Sequence, residues 1–182
     1  MVRISKVDVN SRDRFTVTLE EMDQNGDCLT HYEGNLASVS GGIPGEEVVA
    51  ELVRIRGAHH HLRVIDILNP SVYRIEAPCP YYWPCTGCQW QHISYPYQLL
   101  LKEQLVKNAL GQYPRLLEEG KKVSPTLASV AEYGYRNHAR FTIGPGGTLG
   151  FVNRITRKFV EVQRCLLMDP WINEAVSKLH GH

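Results

Sequence analysis

From residue 14 to 20 the apolar side chains Phe15, Val17 and Leu19 alternate with Thr16, Thr18 and Glu20. A period of two predicts a half-buried β-strand. Further strands are predicted at 28–32, 35–40, 46–56 and 59–68, with turn signals in QNGD at 24–27 and GGIPGE at 41–46. Five short strands with Gly-containing turns predict a small five-stranded barrel of the oligonucleotide-binding (OB) type. The NPS of residues 69–71 marks its end.

The pattern then changes. Residues 72–95 are rich in Pro, aromatic residues and Cys, with few strand or helix signals. Ser94 is placed to cap a helix from about Pro96 to Leu110, with Leu101, Leu105 and Ala109 on one face and Gly111 as its stop. Residues 112–133 read as a loop or weak helix. Strands at 136–143, 148–152 and 158–164 form a meander whose tight turn is GPGG. Asp169 caps a last helix that begins at Pro170. The expected fold is mainly β with some α: an OB-like domain over 1–69 and a partial α+β domain over 70–182.

Composition narrows the class. The 182 residues are 43% hydrophobic and 21% charged, enough to bury a core and too apolar for wholesale disorder. The net charge of +1 hides an asymmetry. Residues 1–70 carry 7 Lys+Arg against 11 Asp+Glu, and residues 71–182 carry 13 against 8. An anionic partner therefore favours the second part. No run reaches the roughly 18 apolar residues of a membrane span, and the start MVRISKVDV lacks a leader's hydrophobic stretch. The expectation is a cytoplasmic monomer without a membrane partner, where clustered thiols bind metal more often than they form disulfides.

Four of the five cysteines form a pattern. Cys79, Cys85 and Cys88 read C-x5-C-x2-C, and 76 residues separate Cys88 from Cys165. Such a quartet closes either a structural zinc site or an iron–sulfur site. Zinc sites usually pair two short knuckles, and this chain has one; the asymmetry suits a cubane, while the spacing leaves zinc open. Tyr81, Tyr82, Trp83 and Trp90 are placed to shield such a centre from water. Cys28 stands alone on a strand and reads as a small core hydrophobe.

Arg136, Arg140, Arg154, Arg157, Lys158 and Arg164 face one acid, Glu161, in the stretch 134–164, with Tyr133, Tyr135, Phe141, Phe151 and Phe159 between them. This is the composition of a nucleic-acid surface, and equally of a wet strand face over an aromatic core. The GPGGTLG of 144–150 precedes a strand and lacks the G-x-G-x-x-G order, so it reads as a hairpin turn and not a dinucleotide loop. Consecutive His59, His60 and His61 point to alternate faces of a strand and do not converge on a metal.

The segment CPYYWPCTGCQWQHISYPYQLLLKEQLVKNAL closely resembles the cluster-binding segment of the RNA uracil-C5 methyltransferases, which include the 23S ribosomal RNA enzymes. NGDC followed by GGIPGEEVVAEL resembles that family's N-terminal TRAM domain, a small RNA-binding barrel. YRNHARF, GTLGFVNR and the Cys165 segment resemble its central domain. The resemblance implies that Cys79, Cys85, Cys88 and Cys165 ligate a [4Fe–4S] cluster that supports the fold and RNA binding. Thr86 stands where the family has glycine, a change that need not disturb the thiolates but bears on the local backbone geometry. The resemblance also implies a partner RNA, ribosomal or transfer, for the basic residues Arg136, Arg140, Arg154, Arg157 and Lys158.

In the family, catalysis sits in a downstream Rossmann-like domain that binds S-adenosylmethionine. Methylating C5 of uracil needs a cysteine nucleophile, a base and that methyl donor. No motif for any of these is recognisable in the chain. The expectation is an N-terminal fragment without catalytic residues, inactive alone; the alternative is a stand-alone RNA-binding module with a structural four-cysteine zinc site.

Overall fold

The structure, a computed structural model, describes residues 5–7 (as backbone), 14–113, 115, 122–154 and 156–182. The chain divides into two compact units: residues 1–75 with 92–126, and residues 76–91 with 127–182. The composition break at 69–71 thus lies close to the first crossing. Residues 92–126, expected with the second part, group with the sheet.

In the first unit, β1 (Ser5–Val7), β2 (Arg14–Thr18), β3 (Cys28–Tyr32), β4 (Asn35–Ser40), β5 (Glu47–Arg56) and β6 (His59–Asn69) make one mixed sheet in the order β1-β2-β5-β6-β4-β3. The five predicted strands are β2 to β6; β1 is an additional edge strand, antiparallel to β2. β4 and β6 run parallel. Glu33 and Gly34 both take positive φ (49° and 78°), the two-residue hairpin geometry whose twist matches the strands it joins. Beyond Thr18 the chain turns onto β3: Glu20 N–H donates to Leu29 O (3.0 Å) and Leu29 N–H to Glu21 O (2.7 Å). The sheet therefore curls until β2 reaches the strand at its far edge. In the QNGD turn, the Asp23 carboxylate accepts from the N–H groups of Asn25 (2.7 Å) and Asp27 (3.0 Å).

The alternation read along 14–20 is the burial observed: Phe15, Val17 and Leu19 face a core shared with Val39, Ile43, Val48 and Leu62. Cys28 is fully buried there, and burial pushes its thiol up, away from ionisation. His60 is buried, while His59 and His61 meet on the opposite face, as alternation requires.

Among the described residues two carboxylates are buried in this unit, Glu46 and Glu51, and Glu46 is the deeper. The Glu46 carboxylate, wholly shielded from solvent, accepts from Ile43 N–H (2.9 Å), Ser71 N–H (3.0 Å), Arg74 Nε (2.7 Å) and Arg74 Nη2 (2.6 Å). Arg74 Nη2 also donates to Gly41 O (3.0 Å). Burial drives the Glu46 carboxyl upward, but the Arg74 and backbone bonds outweigh it and hold it below its ordinary value. Nearby, buried His92 donates from Nε2 to Gly42 O (3.2 Å), and burial lowers it to about 4.

The helix α2 (Tyr95–Gly111) follows the short α1 (Tyr82–Cys85). Ser94 occupies the cap position of α2 without a side-chain bond; Gln98 Nε2 instead donates to Ile93 O (2.9 Å). The expected apolar face is thin, with Leu101 buried, Leu105 half-buried and Ala109 exposed. Gly111 closes the helix as its last residue, ahead of a right-handed Gln112. The reading of 112–133 falls partly outside the described residues; 122–133 carry no helix or strand.

The second unit holds a meander of β7 (Thr142–Ile143), β8 (Leu149–Val152) and β9 (Phe159–Glu161), then α3 (Pro170–Leu179). The strands are shorter than predicted. Residues 136–141 form no ladder: Arg136 makes a single bridge, its N–H donating to Leu167 O (2.8 Å) and its carbonyl accepting from Asp169 N–H (2.9 Å). GPGG is the predicted turn, built as a 3-10 turn at Pro145–Gly147. Gly150 has no room for a side chain, since a Cβ would lie 2.1 Å from Val160 O across the ladder. Asp169 caps α3 by accepting from Trp171 N–H (3.1 Å). The core is small: Met168, Ile172 and Val176, packed by Ala139, Phe141, Leu149, Phe151 and Cys165.

Candidate metal centre and its basic hairpin

The loop before α1 folds by bonds between near neighbours. Tyr82 N–H donates to Cys79 O (3.0 Å) and Cys85 N–H to Tyr81 O (2.8 Å). The Tyr82 hydroxyl closes the loop onto Gln89 O. Cys165 reaches the same place from a distant segment, held by one side chain. Its N–H donates to Asn173 Oδ1 (2.8 Å), and its carbonyl accepts from Asn173 Nδ2 (3.0 Å). Asn173 on α3 thus clamps both backbone groups of the cysteine.

Cys79, Cys85, Cys88 and Cys165 all line one hollow, walled by Tyr82, Phe151, Val162 and Leu166, with Arg164 at its side. All four thiols are free. Burial raises the Cys79, Cys85 and Cys88 thiols, and mutual repulsion with the other cysteines raises them further. Donors aimed at the sulfurs pull the other way: the Tyr81 N–H at Cys79, the Gly87 N–H at Cys85 and the Gln91 side chain at Cys88. Four soft donors in a desolvated hollow, supplied with N–H groups for sulfur but repelling each other as thiolates, call for positive charge between them. That is the donor set of soft metal centres. Among the described residues, no three His, Cys, Asp or Glu side chains converge as the ligands of a single ion.

The expected aromatic shield is only half right. Tyr81 and Tyr82 line the hollow, whereas Trp83 and Trp90 do not. Trp83 points outward and is 54% exposed. A short helix sends consecutive side chains in different directions, so one of Tyr82 and Trp83 turns in and the other out.

The loop is joined to the turn between β8 and β9. Asn153 Nδ2 donates to Pro84 O (2.7 Å), and Arg154 N–H donates to Thr86 Oγ1 (2.9 Å). Thr86 sits in the left-handed region (φ 54°, ψ 17°), a backbone conformation that glycine takes readily and a β-branched residue rarely. Asn153 also organises the turn itself. Its Oδ1 accepts from Thr156 N–H (2.8 Å), its carbonyl from Arg157 N–H (2.9 Å), and its N–H donates to Lys158 O (2.9 Å). The turn carries Arg154, Arg157 and Lys158, all exposed; Arg136 and Arg140 are exposed on the segment before β7. Among the described residues none of the five pairs with a carboxylate. Sequence reasoning missed Asn153 and Asn173. The available signal was an Asn inside a turn and an Asn in the first turn of a helix, both common and neither diagnostic.

No family model matches the chain. It is 30% identical over 176 residues to an uncharacterized RNA methyltransferase of Bacillus anthracis, covering 95% of the chain and 38% of that protein. It is 33% identical over 159 residues to another from Gloeobacter violaceus, covering 85% of the chain and 34% of that protein. Over most of its own length the chain is thus similar to RNA methyltransferases. It spans just over a third of the length of these curated relatives. A solved structure of similar fold is the Pyrococcus abyssi tRNA (uracil-54, C5)-methyltransferase in complex with S-adenosyl-L-homocysteine. It has a TM-score of 0.64 and 23% identity, and the match covers 90% of the chain and 35% of that protein. The resemblance read from the cysteine-rich motif and the names of these relatives agree on RNA methyltransferases. Among the described residues no helix is long and apolar enough to cross a membrane.

Proposed function

We propose that this segment is the RNA-binding, [4Fe–4S]-binding part of an RNA uracil-C5 methyltransferase. The carrying observation is that four thiols from two remote stretches of an RNA methyltransferase segment line one hollow. Cys79, Cys85, Cys88 and Cys165 are the proposed ligands. The N–H groups at the first three sulfurs support this reading, because hydrogen bonds to sulfur tune such clusters. The cluster supplies charge and cross-linking; the chain supplies RNA contacts through Arg136, Arg140, Arg154, Arg157 and Lys158. The curled sheet of the first unit supports an OB-like, TRAM-type barrel. Methyl transfer from S-adenosylmethionine to a uridine, in 23S ribosomal RNA by the resemblance, belongs to the remainder of the protein.

The test is metal content. Anaerobically isolated protein is expected to be brown and to carry about four irons with matching sulfide per chain. Cys88→Ser and Cys165→Ser are each expected to abolish loading. Colourless protein with one tightly held zinc establishes the alternative, an RNA-binding module with a structural four-cysteine zinc site, and wild-type iron in either variant overturns the ligand set.

A further inference from the structure

Trp83 is a large, exposed ring whose seat is fixed. Its neighbour Tyr82 is buried, lies against it (ring centroids 5.0 Å apart, planes at 58°) and is tied by its hydroxyl to Gln89 O. The next residue, Pro84, takes the bond from Asn153, and Thr86 takes the bond from Arg154. The ring therefore sits on the same pinned loop that meets the basic turn. A β-branched residue in the left-handed region is costly, and such strain tends to be kept where it serves a site. Here the side chain that incurs it positions Arg154.

An exposed indole on a rigid seat, joined to a turn of three exposed cations, matches the two halves of a nucleotide. The ring offers a stacking face, and the cations meet phosphates. We infer that Trp83 is a stacking platform for an unpaired nucleobase of the RNA, with Arg154, Arg157 and Lys158 holding the flanking phosphates and Thr86 positioning Arg154. The inference rests on the RNA-binding reading above and adds what that reading lacks, a preference for single-stranded over paired nucleotides. A base inside a duplex keeps its faces covered by its neighbours and offers none to the indole.

The experiment uses the whole chain, isolated anaerobically, with a labelled single-stranded RNA oligonucleotide and a duplex of the same sequence. Trp83→Ala is expected to weaken single-strand binding roughly 5- to 150-fold, the range of base–aromatic stacking, and duplex binding little. Trp83→Phe should restore most of the affinity while losing the fluorescence quenching that stacking produces. Arg154→Ala should weaken both RNAs and flatten the salt dependence. Thr86→Gly should reproduce the Arg154→Ala loss, and Thr86→Ser should not. Unchanged single-strand affinity in Trp83→Ala, with Arg154→Ala still weakened, overturns the platform and leaves the basic surface standing. Failure of the wild type to bind either RNA overturns both.

Discussion

The two units are held together in different ways. Among the described residues the first buries fourteen hydrophobic side chains, from Phe15 to Leu101, and the second five: Tyr82, Val162, Met168, Ile172 and Val176. The first also satisfies its deepest buried charge internally, through the four bonds that meet Glu46. The second gathers thiols that burial and mutual repulsion keep from ionising. A unit with a full apolar core and a paired buried carboxylate is self-supporting. One with few buried side chains and a ring of metal-type donors leans on what those donors bind. The difference teaches how each part is held: the first by a rich apolar core, the second with its four thiols gathered where the core is thin.

The contrast can be broken first at Glu46. Glu46→Ala strands Arg74 and the N–H groups of Ile43 and Ser71, so the first unit is expected to lose about 3–5 kcal/mol. Hydrogen exchange should report the loss in residues 14–75 and leave 127–182 protected; loss in both would show that the second unit does not stand apart.

Acid sharpens the same contrast. His92 titrates near 6.5 when unfolded and at about 4 when folded, so the unfolded chain binds more protons between those values. Stability is fully present above pH 6.5 and declines as pH falls toward 4, by about 3 kcal/mol for this shift. Glu46, held below its ordinary 4.5, adds a further loss at lower pH as its carboxylate is protonated. Denaturant melts of the first unit from pH 7 to 4 check this; a flat profile, or one matched by His92→Gln, removes His92 as the cause.

The smallest expected effect tests the second unit's surface. Arg136→Ala with Arg140→Ala should weaken RNA binding about tenfold and lower the salt slope by roughly 1.4, the value for two single-strand phosphate contacts. Charge changes in residues 1–70 should do less, and equal affinity in wild type and variant would remove these two arginines from the surface.

Much of the first unit was legible because strand alternation and turn residues are local. Phe15-Val17-Leu19, QNGD and the paired strands 28–32 and 35–40 fall where the pattern puts them. Glu46 was not legible: it is half of an acidic pair, Glu46-Glu47, and only the curl of the sheet turns one inward. In the second unit the cysteine spacing named four residues that the fold brings to one hollow. The bonds that bring them there run from Asn153 and Asn173, whose partners lie 69 and 8 residues away and leave no periodic trace. The strand expected over 136–143 shrank to Thr142–Ile143 because Arg136 found a single bridge beside Met168 in place of a ladder.

The distance along the chain between Cys88 and Cys165 is also an interval of time. During synthesis at about 5–20 residues per second, the first three thiols leave the ribosome roughly 4–15 seconds before the fourth. Through that interval they stand in an unfinished hollow, without the clamp of Asn173, open to oxidation or to stray metal. A set of thiols split this way waits for its fourth member, and a chain interrupted in between displays three of them without Cys165.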